Sequence, residues 1–458
     1  MTRHTHDLIV IGSGQAGGPL AGAFAKAGRR VALVEREHVG GTCVNEGCTP
    51  TKTMIASGRV AHVVRRAGNY GVNVGPPSID MAAVRERTRG IVASFRRGSE
   101  RGLDDAGVEL VRGEGRFTGP QSVRVGAAGG ERELSAPLVV LNTGLVPVIP
   151  KLEGLAEVPY LTSRSILELA EVPEHLVVLG GGYIGLEFAQ LFRRLGSQVT
   201  IVQRDDQLVP REDADVADAL LQILREDGCA VHLGAEATRV AGRGGEIRVT
   251  VRVDGALRDV TGTALLVAIG RRPETATLDP DAAGIRRDRR GFIRVNSRLE
   301  TSTTGIYAMG DVTGAPAFTH ISYDDFRILR TNLLEGGRAS RRGRLLPYTL
   351  FTDPQLGRVG ITGREAVAQG IPHRVATLPM TRVARALETD ETRGLMKAVV
   401  HATTDRILGA AILGPEGGEV ATVLQVAMMG KLRWTQLRDV AISHPTWSES
   451  LNNLFMTL

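Results

Sequence analysis

Apolar runs in this chain alternate with glycine clusters and with small residues at helical spacing. His6-Asp7-Leu8-Ile9-Val10-Ile11 predicts a buried strand, and Gly12-Ser13-Gly14-Gln15-Ala16-Gly17 follows it directly. A small-residue helix is predicted over 19–27 and a second strand over 30–35, ending on Glu35. The order then returns. Strand 176–179 leads into Gly180-Gly181-Gly182-Tyr183-Ile184-Gly185, helix 186–195 and strand 198–202. The interval from Gly12 to Glu35 equals that from Gly180 to Gln203, so the strand–glycine–helix–strand unit occurs twice. Glycines at these positions let backbone approach a pyrophosphate at a helix N-terminus, and an acid after the second strand accepts from a ribose hydroxyl. Two dinucleotide sites are expected. Residues 80–103 read as a helical arm carrying Arg and Glu. From about 345 onward, strands such as 394–400 alternate with helices.

Just past the first unit lies Gly41-Thr42-Cys43-Val44-Asn45-Glu46-Gly47-Cys48-Thr49-Pro50-Thr51-Lys52. Residues five apart in an ideal helix stand ~8–9 Å apart, whereas disulfide-bonded Cα atoms stand roughly 4.4–6.8 Å apart. A Cys43–Cys48 bond therefore needs an irregular first turn or a loop, and Gly47 permits the bend. Thr49 and Pro50 read as an N-cap and first helical residue. A thiolate near that helix start is stabilised by the positive end of the dipole. The alternatives are a structural disulfide and a zinc site. Zinc needs two further ligands at short spacing, and the third cysteine, Cys229, lies far along the chain. No resident metal is expected, and a redox pair beside a redox-cofactor seat is the favoured reading.

With these motifs the chain resembles the class I pyridine nucleotide–disulfide oxidoreductases, which include dihydrolipoamide dehydrogenase, glutathione reductase and mercuric reductase. The resemblance spans essentially the whole chain. It includes Asn142-Thr143-Gly144, Ala268-Ile269-Gly270-Arg271-Arg272-Pro273, the segment 301–311 ending Ile306-Tyr307-Ala308-Met309-Gly310-Asp311, and His444-Pro445-Thr446-Trp447-Ser448-Glu449. It implies an α/β fold with two Rossmann-like dinucleotide-binding domains, for FAD and NAD(P), plus an α+β C-terminal dimerisation domain. The expected bounds are 1–147 and 272–344 for a discontinuous FAD domain, 148–271 for NAD(P), and 345–458 for dimerisation. Pro147-Val148-Ile149-Pro150 marks a crossover, and 335–344 reads as a solvated linker.

The resemblance also implies roles. Cys48 would face the flavin as the charge-transfer thiolate, and Cys43 would meet substrate. Lys52, one helical turn beyond Cys48, would steady negative charge on the reduced flavin, with Glu187 as its partner. Glu35 would bind the adenosine ribose of FAD and Asp311 the ribityl chain. Gly12, Gly14, Gly17, Thr42, Thr143 and Gly144 complete that site. Gly180, Gly182, Gly185 and Gly270 would hold the nicotinamide nucleotide, and Tyr183 would cover the flavin until it arrives. His444, beside Pro445 at a predicted helix start, would transfer protons to a leaving thiolate, oriented by Glu449. A homodimer follows, with His444 of one subunit facing Cys43 of the other. At the end of the second strand Gln203 replaces the usual acid and Arg204 follows, which favours NADPH while leaving NADH usable. Asp205 and Asp206 pull the other way.

Composition narrows the function classes. The net charge is +6, but the basic residues are almost all Arg, spread along the chain, with lysines only at 26, 52, 151, 397 and 431. No basic face marks a nucleic-acid site. No apolar run reaches 18 residues, so no transmembrane helix is expected. The N-terminus goes straight into a strand, and three cysteines suit the cytoplasm, where a dithiol can cycle. The chain lacks the vicinal C-terminal cysteines and N-terminal Cys-x-x-Cys extension of mercuric reductases, and it keeps the His–Glu pair that they replace. Met309-Gly310-Asp311-Val312-Thr313-Gly314, Ile321-Ser322-Tyr323-Asp324-Asp325 and Ser448-Glu449-Ser450-Leu451-Asn452 are most similar to the bacterial mercuric-reductase-like flavoproteins, one group of which is linked to copper(II) reduction. The expected activity is NAD(P)H-dependent reduction of a small-molecule disulfide or a thiophilic metal ion. A dihydrolipoamide dehydrogenase is the alternative enzyme, and a redox-sensing flavoprotein the alternative of another class.

Overall fold

The computed structural model describes residues 4–127 and 130–458. The chain divides into two compact units. The first comprises Met1–Thr53, Ala83–Val148 and Gly270–Arg344; the second comprises Met54–Ala82, Ile149–Ile269 and Leu345–Leu458.

The first unit is built on a five-stranded parallel sheet in the order Ile306–Ala308, Leu138–Leu141, Leu8–Ile11, Val31–Glu35, Glu109–Arg112. The strand Leu8–Ile11 is buried on both sides, as a near-continuous apolar run demands. Ile9 and Ile11 pack on one face with Phe117, Val123 and Val139. Leu8 and Val10 pack on the other with Leu20 and Phe24 of the helix Gly17–Lys26 and with Phe326 and Leu329. A three-stranded antiparallel sheet, Glu114–Gly119, Ser122–Ala127 and Gly130–Ser135, completes the unit with the pair Leu145–Pro147 and Arg271–Pro273.

The second unit repeats the arrangement in a four-stranded parallel sheet, Cys229–His232, Gln198–Val202, His175–Leu179, Ala264–Val267. The helix Tyr183–Leu195 follows its first strand, and an antiparallel meander, Glu236–Arg243, Glu246–Val253 and Ala256–Gly262, covers one side of its core. The same unit holds a five-stranded antiparallel sheet, Tyr348–Leu350, Gln355–Gly360, Ile407–Gly414, Leu395–His401, His373–Pro379. Helices Gly417–Met429, Trp434–Asp439 and Ser450–Phe455 pack their apolar sides on it. Two dinucleotide-binding folds and an α+β C-terminal part are thus present. Among the described residues no helix is long and apolar enough to cross a membrane.

Two local expectations are corrected. The helix after the cysteines spans Cys48–Arg66 and not 50 onward. Its first turn closes from the Thr51 amide to the Gly47 carbonyl at 3.1 Å, and Pro50 sits in that turn, where no N–H is needed. Pro445 does not begin a helix; the last one is Ser450–Phe455. Side chains hold 443–449 in turns instead. Thr446 Oγ1 donates to the Ser443 carbonyl at 2.9 Å and accepts the Glu449 amide at 3.1 Å, the competition that hydroxyl residues offer to helix bonding.

Candidate active site

In the first unit, the strand Leu8–Ile11 ends at Gly12, whose φ of +98° needs glycine. Asn142 then ties the expected FAD motifs together. Its Oδ1 accepts the Gly17 amide and its Nδ2 donates to the Met309 carbonyl, both at 3.0 Å. A Cβ at Gly14 would stand 2.6 Å from that Oδ1. A Cβ on Gly41, beside Thr42 in the short helix Gly41–Asn45, would stand 2.7 Å from Gly14 Cα. Glu35 is oriented by Ser13, whose backbone amide and hydroxyl donate to Oε2 at 3.0 and 2.6 Å, and by the Glu37 amide at 2.9 Å. FAD fits this cradle. The Thr143 hydroxyl is buried without a hydrogen-bond partner among the described residues, and at Gly144 a Cβ would meet no described atom within 4 Å.

The cysteines, Lys52 and Asp311 come together in this unit. Cys43 lies in Gly41–Asn45 and Cys48 opens Cys48–Arg66, with Lys52 one turn later on the same side. Both cysteines are thiols. The Cys43 thiol pKa is raised far above its ordinary value, first by its hydrogen bond with Cys48, then by burial and by charge on Cys48; Thr319 and Lys52 pull the other way. Cys48 Sγ also stands 3.4 Å from Thr319 Oγ1. Asp311, in the turn Gly310–Thr313, has its carboxyl pKa raised by burial, and the Arg271 guanidinium at 3.4 Å opposes the rise. The Gly310 amide donates to Asp325 at 2.9 Å.

In the second unit Gly180 (φ +112°) stands where Gly12 stands in the first, and Gly185 packs over it. At Gly182 a Cβ would meet no described atom within 4 Å, leaving the helix start open to a phosphate. Gln203 Oε1 accepts the Gly181 amide at 2.8 Å, while its Nε2 donates to Asp205 and to the Gln207 carbonyl, both at 3.2 Å. Arg204 is exposed and reaches Asp205 at 3.4 Å. Asp205 therefore turns toward Gln203 and Arg204, not away from them. Tyr183 begins the helix, with its phenol pKa pushed up to about 12 by burial and then by the Glu212 charge. Glu187, in the second turn, is buried and accepts the Phe351 amide at 2.9 Å. Elsewhere in the unit, His444 Nδ1 meets both Glu449 oxygens at 2.9 and 3.0 Å, which leaves Nε2 free to act on a substrate; the ring is 67% exposed. Gly270 belongs to the first unit, where its carbonyl accepts the Val148 amide at 3.0 Å.

Sequence reasoning passed over Asn142, Ser13, Arg271, Thr319 and Asp325. Asn142 lay inside a quoted motif, but its reach to Gly17 spans 125 positions and no local spacing signals it.

Residues 6–325 match the family Pyridine nucleotide-disulphide oxidoreductase, and residues 346–455 match its dimerisation domain. The chain is 39% identical over 455 residues to the probable pyridine nucleotide-disulfide oxidoreductase RclA of Escherichia coli (strain K12), covering 98% of each. It is 34% identical over 455 residues to the mercuric reductase of Staphylococcus aureus, covering 99% of this chain and 82% of that one. The Cu(II) complex of HOCl-induced flavoprotein disulfide reductase RclA from Escherichia coli superposes with a TM-score of 0.90 at 38% identity, over 100% of this chain and 99% of that one. The chain belongs to the class I pyridine nucleotide–disulfide oxidoreductases, NAD(P)H-dependent flavoenzymes that hold FAD and a pyridine nucleotide.

Proposed function

We propose that this enzyme carries electrons from NAD(P)H through Cys43 and Cys48 to a thiophilic metal ion or a disulfide, acting as a homodimer in the cytoplasm. The observation that carries the reading is the uneven pair. The Cys43 thiol pKa is raised beside Cys48, while Cys48 sits at the N-terminus of a 19-residue helix with Lys52 one turn away. The helix dipole favours negative charge on Cys48. Bound FAD would supply two-electron transfer between the nicotinamide and the sulfur pair. Glu35, Thr143 and Asp311 would hold it, and Lys52 would balance its charge. One turnover oxidises NAD(P)H to NAD(P)+. It yields two thiols from one disulfide, or reduces one Hg(II) by two electrons, or two Cu(II) to two Cu(I). Soft thiolates suit soft or reducible ions, and the relatives include a mercuric reductase and a flavoprotein disulfide reductase solved as a Cu(II) complex.

A second reading, dihydrolipoamide dehydrogenase, is favoured by the formed His444–Glu449 pair, because proton transfer serves a thiol leaving group and not a metal ion. NAD(P)H consumption with Cu(II), Hg(II) and oxidised thiols, compared with NAD+ reduction by dihydrolipoamide, separates the two. Turnover with dihydrolipoamide alone would overturn the first.

A further inference from the structure

Residues 203–213 join the strand Gln198–Val202 to the helix Ala214–Glu226 and are bonded at both ends. At the first end Gln203 Oε1 accepts the Gly181 amide, and its Nε2 donates to the Gln207 carbonyl at 3.2 Å. Gln207 Nε2 in turn donates to the Glu212 carbonyl at 3.1 Å. The Val209 amide donates to the Gly181 carbonyl at 3.0 Å, so the segment folds back onto the glycine loop. Val209 has a φ of +40°, which a β-branched residue keeps only where its surroundings impose it.

The other end is held by the five-stranded C-terminal sheet. Glu212 is 0% exposed; its Oε2 accepts from Arg358 Nε at 3.1 Å, and its Oε1 accepts the Tyr348 hydroxyl. Arg358 is itself fixed, because its Nη1 donates to the carbonyls of Val359 and Ala410 at 2.8 and 3.0 Å. Asp213 meets Lys397 Nζ at 2.9 Å and accepts the Gly363 and Arg364 amides, both at 2.9 Å. Arg364 Nη2 donates back to the Pro210 carbonyl at 2.7 Å. Moving the segment would part buried charges from their partners, which is costly.

We propose that Glu212 and Asp213, gripped by Arg358 and Lys397, fix the turn that orients the Gln203 amide and so set the discrimination between NADPH and NADH. They are positioning residues. The proposal rests on the reading of Gln203 as the strand end that meets the adenosine ribose. The two nucleotides differ only at the 2′ position, which on that reading falls at Gln203 and Arg204. A displaced turn therefore weakens the phosphorylated nucleotide more than the other.

The test is calorimetric titration of oxidised, FAD-loaded enzyme with NADP+ and with NAD+, reading the ratio of the two Kd values. Glu212→Gln should lower the preference for NADP+ by roughly 2–10-fold, the range for one net hydrogen bond. A ratio that is unchanged or shifted toward NADP+ overturns the positioning role, even where both constants rise together, since general loss of structure weakens both alike. Should Glu212→Gln fail to fold, Asp213→Asn decides alone by the same criterion. Gln203→Glu separates the two layers. If it changes the ratio while the anchor variant does not, only the anchoring fails. If Gln203→Glu leaves the wild-type ratio, the strand-end reading fails and the proposal with it.

Discussion

Gln203 turns its side-chain oxygen onto the Gly181 amide at 2.8 Å, as Glu35 turns its carboxylate onto the Ser13 amide at 3.0 Å in the first unit. The contact to the glycine loop is kept and the negative charge is removed. A 2′-phosphate therefore meets no carboxylate at the strand end itself, although Asp205 stands next to it and occupies Arg204.

The expected outcome is a moderate NADPH preference with NADH still used. Because the Arg204 side chain is 78% exposed and already shared with Asp205, Arg204→Ala should weaken NADPH by only about 1 kcal/mol, the upper range for exposed pairs, with NADH unchanged. Gln203→Glu should shift the preference toward NADH. Steady-state KM and kcat for both nucleotides check this, and equal losses for the two would contradict it.

Replacing each cysteine should give different spectra in the FAD-loaded enzyme. Stoichiometric reduction of the wild type should produce a long-wavelength absorbance that depends on the Cys48 thiolate. Cys48→Ser should lack it, and Cys43→Ser should show it without any reductant. Identical behaviour of the two variants would contradict the separate roles of Cys43 and Cys48.

The His444–Glu449 pair should matter for thiol chemistry alone. His444→Ala should slow disulfide reduction by ~10²–10⁴-fold, the range for a lost acid–base group. Reduction of the enzyme by NADPH should be unaffected, and direct metal-ion reduction should be less affected. The exposed ring also fits a site completed by a second subunit, so light scattering should report a dimer. A fully active monomer would contradict that.

Cys229 gives a prediction about pH. It is 4% exposed, and burial pushes its thiol pKa up to about 12. In the unfolded chain the thiol ionises near ~8.5. The folded pKa is the higher one, so the contribution to stability is complete below the unfolded pKa and is lost as pH rises toward about 12. Wild-type stability should therefore fall more steeply than that of Cys229→Ala between these values, measured by denaturant midpoints. In native, reduced enzyme at pH 8, a thiol reagent should count two reactive thiols, and Cys229 should react only on unfolding.

Much of this site is written in local patterns. The two glycine fingerprints, the strand Gln198–Val202 and the position of Lys52 relative to Cys48 follow from period and spacing, because strand, turn and helix are set by neighbouring residues. What stayed hidden depends on distant pairing. Asn142 finds Gly17 only after the sheet places Leu138–Leu141 beside Leu8–Ile11. Glu212 reads as a loop acid until Arg358 and Tyr348 reach it from a sheet over a hundred positions away. Pro445 misled for a local reason, since the Thr446 hydroxyl makes turn bonds that a proline pattern does not reveal.

The central claim is that electrons reach the acceptor through both sulfurs. The direct measurement is anaerobic NADPH consumption by FAD-loaded wild type, Cys43→Ser and Cys48→Ser, with Cu(II), Hg(II) or a disulfide as sole acceptor. The account predicts turnover by the wild type with at least one of these acceptors and a loss of at least ~10³-fold in both variants, the scale for removing a covalent-catalysis group. Wild-type rates in either cysteine variant would contradict it.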